Sequence, residues 1–303
     1  MSAPPRLFDR DLLRLRLDRA APGYAAADFL KRRAAEDAVA RLEPIMREFP
    51  LAVDLGARNG AFREALKESD AAERIGLLVE ADLSPRMLQG RDGPRLVADE
   101  ERLPFAAGKL DLVVSTLCLH WANDVVGALI QIRRALKPDG LFNGAFLGGA
   151  TLTELRQSLL TAEAELTGGA GARVSPFADP YDAAGLLQRS GFALPVADVD
   201  RVTVRYAHPL KLLADLRAMG ETSALAERHP KMLTRRILTR AFDIYAERFA
   251  EPDGRLPATF EILTLTGWAP HESQQKPLKP GSAKMRLADA LGVKENPLPR
   301  EDD

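Results

Sequence analysis

Short apolar runs alternate with helical patterns over residues 49–147 of this chain. The runs are nearly continuous in Val, Leu and Ile, as strands are when both faces of a parallel sheet are covered by helices. Alternation of this kind predicts an α/β fold of the doubly wound, Rossmann-like type, with helices on both faces of the sheet. We place its first five strands at 51–55, 75–81, 95–98, 110–117 and 141–147.

The pattern changes after Gly148, where helices become more frequent than strands. The predicted fold is a seven-stranded, mostly parallel sheet with a helical insertion between the fifth and seventh strands. The helical patterns lie at 151–166, 179–191, 210–219 and 233–249, and the last two strands at 199–206 and 260–268. The resulting divisions are an N-terminal arm and helix (1–48), a core (49–150), the insertion with the last two strands (151–270) and a loosely ordered tail (271–303).

Three short motifs predict where elements begin or end. Ser84-Pro85 is a helix start with serine as the cap. Thr151-Leu-Thr-Glu154 has the spacing of a capping box. Lys137-Pro-Asp-Gly140 indicates a turn.

Composition excludes several classes of protein. The 303 residues include 42 Lys and Arg against 43 Asp and Glu, which argues against a protein that binds nucleic acid through its overall charge. A single cysteine excludes a disulfide framework and a Cys-rich zinc site, and it fits a reducing compartment. We recognise no secretory signal, no transit peptide and no apolar run near the roughly 18 residues of a spanning helix.

Residues suited to ligand binding follow the ends of the predicted strands, where open parallel sheets hold their ligands. After the first strand, a turn with Gly56 and Gly60 would let a ligand approach the backbone, and Asp54 could accept from an ammonium group. Asp82 ends the second strand 22 residues after Gly60. An acid at about that spacing binds ribose hydroxyls, although it could also serve as an acid at a helix start.

The next two strand ends add an acid pair and an aromatic corner. Asp99 and Glu100 could accept from the exocyclic amine of an adenine, or could be solvated loop acids. His120 and Trp121 could face the cleft, where histidine can act as acid or base, or could form a packed corner. Cys118 has no cationic neighbour in sequence, and we interpret it as a small buried residue.

Absent motifs narrow the choice of ligand. There is no full Gly-x-Gly-x-x-Gly of a dehydrogenase, no phosphate-binding loop and no Gly-x-Ser-x-Gly of a serine hydrolase. A glycine turn followed by acids at successive strand ends therefore indicates a nucleoside-binding fold of the methyltransferase type.

Two sets of motifs resemble known families. The first set resembles the motifs of class I S-adenosylmethionine-dependent methyltransferases, which include the malonyl-carrier-protein methyltransferases of biotin synthesis. It comprises Val53-Asp-Leu-Gly56, Asp82–Leu88, Leu103-Pro-Phe105, Leu119-His-Trp121 and Ala135–Gly140. A second set spans nearly the whole chain and resembles the respiratory complex I assembly factor 5 family. It comprises Phe8-Asp-Arg10, Gly148–Arg156, Val174-Ser-Pro-Phe177, Asp215–Glu221, Pro257-Ala-Thr-Phe260 and Gly267–Gln274.

The resemblance implies a class I methyltransferase fold that binds S-adenosylmethionine. It further implies hydroxylation of an arginine on the iron–sulfur subunit of complex I, near the quinone site. We assign His120, Trp121 and Asp124 as candidate catalytic residues. The candidate cofactor-binding residues are Asp54, Gly56, Arg58, Gly60, Asp82, Leu83, Asp99, Glu100 and Leu117.

One residue departs from the family pattern. Arg58 stands where the middle glycine of a Gly-x-Gly-x-Gly turn is usual. Its side chain could crowd the methionine part of the cofactor, or its guanidinium could pair with the cofactor carboxylate.

Three mechanisms remain open from the residues. An arginine hydroxylase could hold the substrate guanidinium with Asp99, Glu100 and Asp124. A methyltransferase could act on a carboxylate or a carrier-bound acid, since the cofactor is already activated and only needs alignment. A non-catalytic assembly factor could keep the cofactor as a structural ligand.

We assign no metal, because the histidines (His120, His208, His229 and His271) lack the spacing of an iron-oxygenase site.

The resemblance also implies partners and a location. The expected partner is the iron–sulfur subunit of complex I, with no nucleic acid. The expected location is the bacterial cytoplasm with peripheral contact at the inner membrane, or the mitochondrial matrix in a eukaryote. The basic residues Lys276, Lys279, Lys284 and Arg286 could contact a membrane or a partner, or be solvated.

Overall fold

The computed structural model of the chain describes residues 6–227, 233–275, 282 and 285–294. It divides the chain into two units, Met1–Pro270 and His271–Asp303. The first unit contains seven strands in one sheet. These are β1 (Phe49–Leu55), β2 (Ile75–Asp82), β3 (Arg95–Val97), β4 (Leu110–Thr116), β5 (Leu136–Leu147), β6 (Ala193–Tyr206) and β7 (Leu256–Trp268).

Eight α-helices accompany the strands in the described part of the first unit. They are α1 (Arg10–Ala20), α2 (Phe29–Leu42), α3 (Ala61–Lys67), α4 (Val125–Ala135), α5 (Thr153–Thr167), α6 (Pro180–Arg189), α7 (Pro209–Ala218) and α8 (Arg235–Phe249). None of the helices in the described residues is long and apolar enough to span a bilayer.

The strand order is β3-β2-β1-β4-β5-β7-β6. β1 pairs in parallel with both β2 and β4, β4 pairs in parallel with β5, and β7 runs antiparallel between β5 and β6. The predicted seven-stranded, mostly parallel sheet is confirmed. From β1 the chain continues to β2 on one side of the sheet, whereas from β4 it continues to β5 on the other side. The topological switch point, where such sheets bind ligands, therefore lies between β1 and β4.

The two faces of the sheet are covered by different helices. Leu112 and Val114 of β4 point to one face and pack with Val39 of α2 and Phe62 of α3. Val113 points to the other face and packs in a cluster with Ile132 of α4. This alternation with a period of two residues explains why the strand is apolar along its length.

The helical insertion forms a separate apolar cluster over the end of β5 and the middle of β7. Leu155 and Leu159 of α5 share this cluster with Ala241 and Ile244 of α8 and with Phe260 of β7. The helical spacing in α7 predicts that Leu212, Leu213, Leu216 and Met219 face the core, and Leu212, Leu216 and Met219 are buried there, while Leu213 is partly buried against the cluster.

The capping box predicted at Thr151–Glu154 is wrong. α5 begins without a side-chain cap. The Thr151 hydroxyl donates to the carbonyl of Glu261 and accepts from its amide, and the Glu154 carboxylate accepts from the amide and hydroxyl of Thr259. Both side chains bind β7 instead, because the cap position lies against that strand.

Two other local predictions are also wrong. The Ser84 hydroxyl accepts from the amide of Met87, as a cap does, but Ser84-Pro85 begins a series of turns over 85–90 rather than a helix. Left-handed Gly90 follows five residues after Pro85, so the helical conformation cannot continue into a second full turn. The turn predicted at 137–140 lies inside β5, which starts at Leu136 and accommodates the left-handed Asp139 through a shift in its register with β4.

The second unit contains one short helix in its described part, α9 (Leu287–Leu291). Residues 276–281, 283–284 and 295–303 lie outside the described residues. The predicted loose order of the tail therefore falls partly outside them, as do Lys276, Lys279 and Lys284.

Candidate active site

The turn after β1 has a left-handed backbone at Gly56 (φ +75°), Arg58 (φ +53°) and Gly60 (φ +74°). Glycine is required at 56, where a Cβ atom would lie 2.6 Å from the Sγ atom of Cys118. Arg58 has a Cβ atom, so its conformation costs about 1–2 kcal/mol. A strained residue at the switch point needs compensation from its contacts.

Asp82 provides that compensation. The Arg58 amide and Nη1 donate to Asp82 Oδ2 at 2.9 and 2.8 Å, and the Ser84 amide donates to Oδ1 at 2.8 Å. The Arg58 side chain is 1% exposed and that of Asp82 0%. Burial opposes the charge of Arg58, but Asp82 beside it raises the pKa of the guanidinium. The acid predicted to bind ribose thus has both oxygens engaged by the protein.

Asp99 and Glu100 are engaged in the same way by Arg10 of α1. Nη2 of Arg10 donates to Asp99 Oδ1 at 2.8 Å and also to Glu100, while Nη1 donates to the carbonyl of Trp121 at 3.1 Å. In one of the three mechanisms left open by the sequence, Asp99 and Glu100 hold a substrate guanidinium together with Asp124. The guanidinium that this acid pair holds in the structure is that of Arg10.

A third basic side chain, Lys31 of α2, lies between the ends of β1 and β4. Its Nζ donates to the carbonyls of Gly56 and Thr116 at 2.6 Å each, and to the Thr116 hydroxyl at 2.5 Å. Lys31 is 1% exposed, and burial lowers the pKa of its ammonium.

The buried carboxylate of Asp54 has no hydrogen-bond partner among the described residues, although buried carboxylates normally have one. It is fully buried at the end of β1. Burial raises the pKa of Asp54 to about 6, against the influence of Lys31. Because buried polar groups are almost always satisfied, an unpaired carboxylate here marks a place for a donor.

The strand ends thus match S-adenosylmethionine in chemical type. Asp82 suits ribose hydroxyls, Asp99 the adenine amine, and Asp54 the ammonium of the methionine part. The unpaired oxygens of Asp54 fit such a ligand, whereas Arg58 and the Ser84 amide engage both oxygens of Asp82, and Arg10 engages Oδ1 of Asp99. The assignment of these residues to a cofactor stays a prediction.

The remaining candidate cofactor residues are apolar. Leu83 is buried in a cluster with Tyr24, Met87 and Trp121. Leu117 is buried and has a left-handed backbone (φ +50°), and its amide donates to the carbonyl of Ala145 at 2.7 Å.

The short turn after β4 carries His120 and Trp121, and both bind one carboxylate. His120 Nε2 lies 3.1 Å from Oε2 of Glu221, and Trp121 Nε1 donates to the same oxygen at 2.8 Å. The ring of His120 lies 5.5 Å from that of Trp121 and 6.1 Å from that of Phe177. Among the described residues, Nδ1 of His120 has no partner.

A cavity of about 540 Å³ adjoins this cluster. It lies between α5, α7 and the end of β5, and most of its lining is apolar. Trp121 and Glu221 form part of its wall, together with Leu147, Leu155, Leu159, Phe177, Leu213, Leu216, Met219 and Phe260. Because the carbonyl of Trp121 also accepts from Arg10, one residue joins the cavity to the candidate cofactor residues.

Asp124 and Cys118 have clear local roles. Asp124 caps α4, since its carboxylate accepts from the amide of Gly127 at 2.7 Å. Asp99 and Glu100 accept from Arg10, whereas Asp124 binds the start of its own helix, and a shared guanidinium site of the three acids stays a prediction. Burial raises the pKa of the Cys118 thiol to about 12, so it is neutral at physiological pH.

Three charged residues of the site do not appear among the sequence predictions. Lys31 is signalled only by its position on the apolar face of α2, with Ala34, Ala38 and Leu42. Arg10 and Glu221 lie within motifs that carry the family resemblance, but spacing alone assigns them no partner.

The Methyltransferase domain family model matches residues 53–143. The chain is 40% identical to "Arginine-hydroxylase NDUFAF5, mitochondrial" of Homo sapiens, over 98% of this chain and 88% of that protein. It is 34% identical to the malonyl-[acyl-carrier protein] O-methyltransferase of Laribacter hongkongensis, over 90% of this chain and 94% of that protein.

Among solved structures, a putative methyltransferase of Bacillus halodurans superposes with a TM-score of 0.52 at 14% identity. The match covers 77% of this chain and 99% of that one. At that identity the likeness shows the fold alone, which is that of the class I methyltransferases.

Proposed function

This chain belongs to the arginine-hydroxylase NDUFAF5 family of methyltransferase-fold enzymes, and from that premise we propose that it hydroxylates an arginine of a protein substrate. The observation that carries the proposal is the 40% identity over 98% of the chain. The identity extends through the helical insertion, which lines the cavity, and not only through the core.

The proposed substrate is the arginine of the complex I iron–sulfur subunit that lies near the quinone site. Its side chain would enter the cavity beside Trp121, where apolar walls exclude water from the reacting group. Trp121 forms part of the cavity wall, and His120 is buried beside it on the same Glu221 oxygen; the two are the proposed catalytic pair. Asp124 would act by holding the start of α4 below them, through the cap that it forms.

The proposed cofactor is S-adenosylmethionine, which supplies an activated methyl group when bound. Asp54 would hold its ammonium, Asp82 its ribose and Asp99 its adenine amine. For the ribose contact to form, the Arg58 guanidinium must leave Asp82, whereas Asp99 can accept from the adenine amine with Oδ2 while Arg10 holds Oδ1. Cofactor binding would therefore reorganise the ion pair of Arg58 and Asp82.

Hydroxylation itself needs a further reactant. Replacement of a C–H bond of arginine by C–OH is a two-electron oxidation, which a methyl donor does not supply. Dioxygen with a two-electron reductant balances the step, giving hydroxyarginine and water. An assay must therefore provide both.

The proposed partner and location follow from the same substrate. The enzyme would act on the iron–sulfur subunit before or during assembly of complex I, in the bacterial cytoplasm at the inner membrane. In a eukaryote the corresponding place is the mitochondrial matrix. Nucleic acid has no part in the proposal.

The decisive experiment compares the mass of the iron–sulfur subunit from cells with and without this gene. We expect the subunit from the deletion strain to lack one oxygen atom on a single arginine, and the wild-type gene to restore it. Equal masses, with a normal level of the protein in the parent strain, would refute the hydroxylase. If complex I were lost in that case, a scaffold without this chemistry would be favoured.

The 34% identity to a malonyl-carrier-protein O-methyltransferase supports a second candidate, methyl transfer to a carrier-bound acid. Purified protein with S-adenosylmethionine and a malonyl-carrier protein would then release S-adenosylhomocysteine and methyl ester in equal amounts. The hydroxylase predicts neither product from these reactants.

A further inference from the structure

The lining of the cavity in the described residues includes a single carboxylate, that of Glu221. We propose that Glu221 binds the guanidinium of the substrate arginine inside this cavity. The inference rests on the proposed function, because it identifies the group that recognises the reacting side chain.

The two oxygens of this carboxylate have different surroundings. Oε2 is held by His120 Nε2 and Trp121 Nε1, at 3.1 and 2.8 Å. Oε1 has no hydrogen-bond partner among the described residues, and it is not closed off, since Glu221 lines the cavity and its side chain is 15% exposed. The carboxylate is thus oriented by one oxygen and can accept from a ligand with the other.

The carboxylate is also charged at neutral pH. Burial works to raise the pKa of Glu221, but His120, Arg58 and the hydrogen bond from Trp121 outweigh it, and the pKa is lowered. A negative charge in an apolar cavity favours a cationic group that can form directional hydrogen bonds. Guanidinium meets both requirements.

The rest of the cavity suits the remainder of an arginine side chain. An arginine combines three methylene groups with a planar cation, so it fits a site with apolar walls and one acceptor. Leu155, Leu159 and Met219 supply aliphatic walls, and the rings of Trp121 and Phe177 supply flat ones. Aromatic faces attract guanidinium groups as well.

Three arginines also line the cavity, and their charges are the main objection to a cationic ligand. Arg16 donates to the carbonyls of Thr222 and Ser223, and Arg173 is paired with Glu163. Arg217 is exposed. Two of the guanidinium groups are thus turned to protein acceptors, and the third lies at the solvent side, where the backbone of a bound substrate could contact it.

The test measures binding rather than turnover, with N-acetyl-arginine amide and its neutral counterpart N-acetyl-citrulline amide as probes. The full-length protein is titrated with each by calorimetry, and the change in tryptophan emission, to which Trp121 in the cavity wall contributes beside Trp268, serves as a second readout. We expect wild-type protein to prefer the arginine probe, and Glu221→Gln to lose about ten- to a hundred-fold of that affinity. Affinity for the citrulline probe should not change.

Glu261→Gln is the matched control. Glu261 is also a glutamate, its side chain is 1% exposed and paired with Arg201, and it does not line the cavity. This variant should bind both probes as the wild type does. If Glu221→Gln does not fold, the preference of the wild-type protein for the arginine probe over the citrulline probe still tests whether the cavity selects a positively charged ligand.

Equal binding of the two probes to wild-type protein, or undiminished arginine binding by Glu221→Gln, would overturn the proposal. So would saturation by malonyl-pantetheine, an anionic acyl probe, without binding of the arginine probe. The mass comparison of the iron–sulfur subunit is independent of these titrations. An oxygen found there with no effect of Glu221→Gln would refute this inference alone, whereas arginine binding without that oxygen would refute the proposed reaction.

Discussion

Arg58→Gly should weaken the fold but strengthen binding of S-adenosylmethionine. In the structure Arg58 is 1% exposed and Asp82 0%, and removing one partner of such a pair costs about 3–5 kcal/mol. Glycine at a left-handed position returns about 1 kcal/mol of strain. The expected net loss is about 2–4 kcal/mol, which would lower the melting temperature by on the order of 5 °C.

The gain in binding has the same origin. In the wild type the ribose of the cofactor must displace the guanidinium from Asp82, whereas in Arg58→Gly only the backbone amides of residues 58 and 84 still donate to that carboxylate. If that displacement accounts for about 1.4 kcal/mol or more, the dissociation constant should fall about ten-fold or more. Added cofactor should therefore raise the melting temperature more in the variant than in the wild type.

Thermal unfolding followed by circular dichroism, with and without S-adenosylmethionine, measures both effects, and calorimetry gives the affinities. Arg201→Ala is the control, because it unpairs the buried Glu261 on β7 and leaves Asp82 untouched. It should lose stability without any gain in affinity. A less stable Arg58→Gly protein whose affinity for the cofactor is unchanged or lower would show that Arg58 does not compete with the cofactor for Asp82.

Three further predictions follow from burial and backbone conformation. Asp54 has its pKa raised from 3.8 to about 6 by burial, so its contribution is most favourable below pH 4 and is lost as the pH rises to 6. Asp54→Asn should thus be more stable than the wild type by about 2–3 kcal/mol at pH 7. Urea unfolding of both proteins at pH 4 and pH 7 measures the difference, and equal stability at pH 7 would contradict this. Because burial raises the pKa of Cys118 to about 12, its thiol should resist iodoacetamide at pH 8 in the folded protein and react readily in urea. Mass spectrometry counts the adducts, and rapid labelling of the folded protein would contradict this prediction. Gly56→Ala should lower the free energy of unfolding by about 1–3 kcal/mol more than Gly90→Ala. Both positions are left-handed, but only at 56 would the new Cβ atom meet another side chain. Equal losses of stability in urea unfolding would refute this packing argument.

The sheet was predictable because its signals are local and strong. β1, β4 and β5 are apolar runs that are buried over most of their length, so burial itself produces the pattern that identifies them, whereas the edge strand β3 is mostly exposed. α8 was predictable from the helical spacing of its apolar residues. Chain order then places the carboxyl ends of parallel strands on one edge, which is why strand order alone groups Asp54, Asp82 and Asp99 at one site.

Short polar motifs were less reliable than apolar patterns. Thr151 and Glu154 have the spacing of a capping box, yet both bind β7, more than a hundred residues later in the chain. The energy of a hydroxyl or carboxylate hydrogen bond is similar for a local and a distant backbone partner. Spacing alone therefore cannot decide between them.

The class of fold, the place of the candidate site and the family can be predicted from the order of the residues. These depend on apolar periodicity and on motif order, which are properties of neighbouring residues. Which charges meet depends on the folding of distant segments: Arg58 pairs with Asp82, Arg10 with Asp99, and Glu221 with His120. Such pairs join elements far apart in the chain, and the buried carboxylates must be neutralised by whichever donor the packing brings within hydrogen-bond reach.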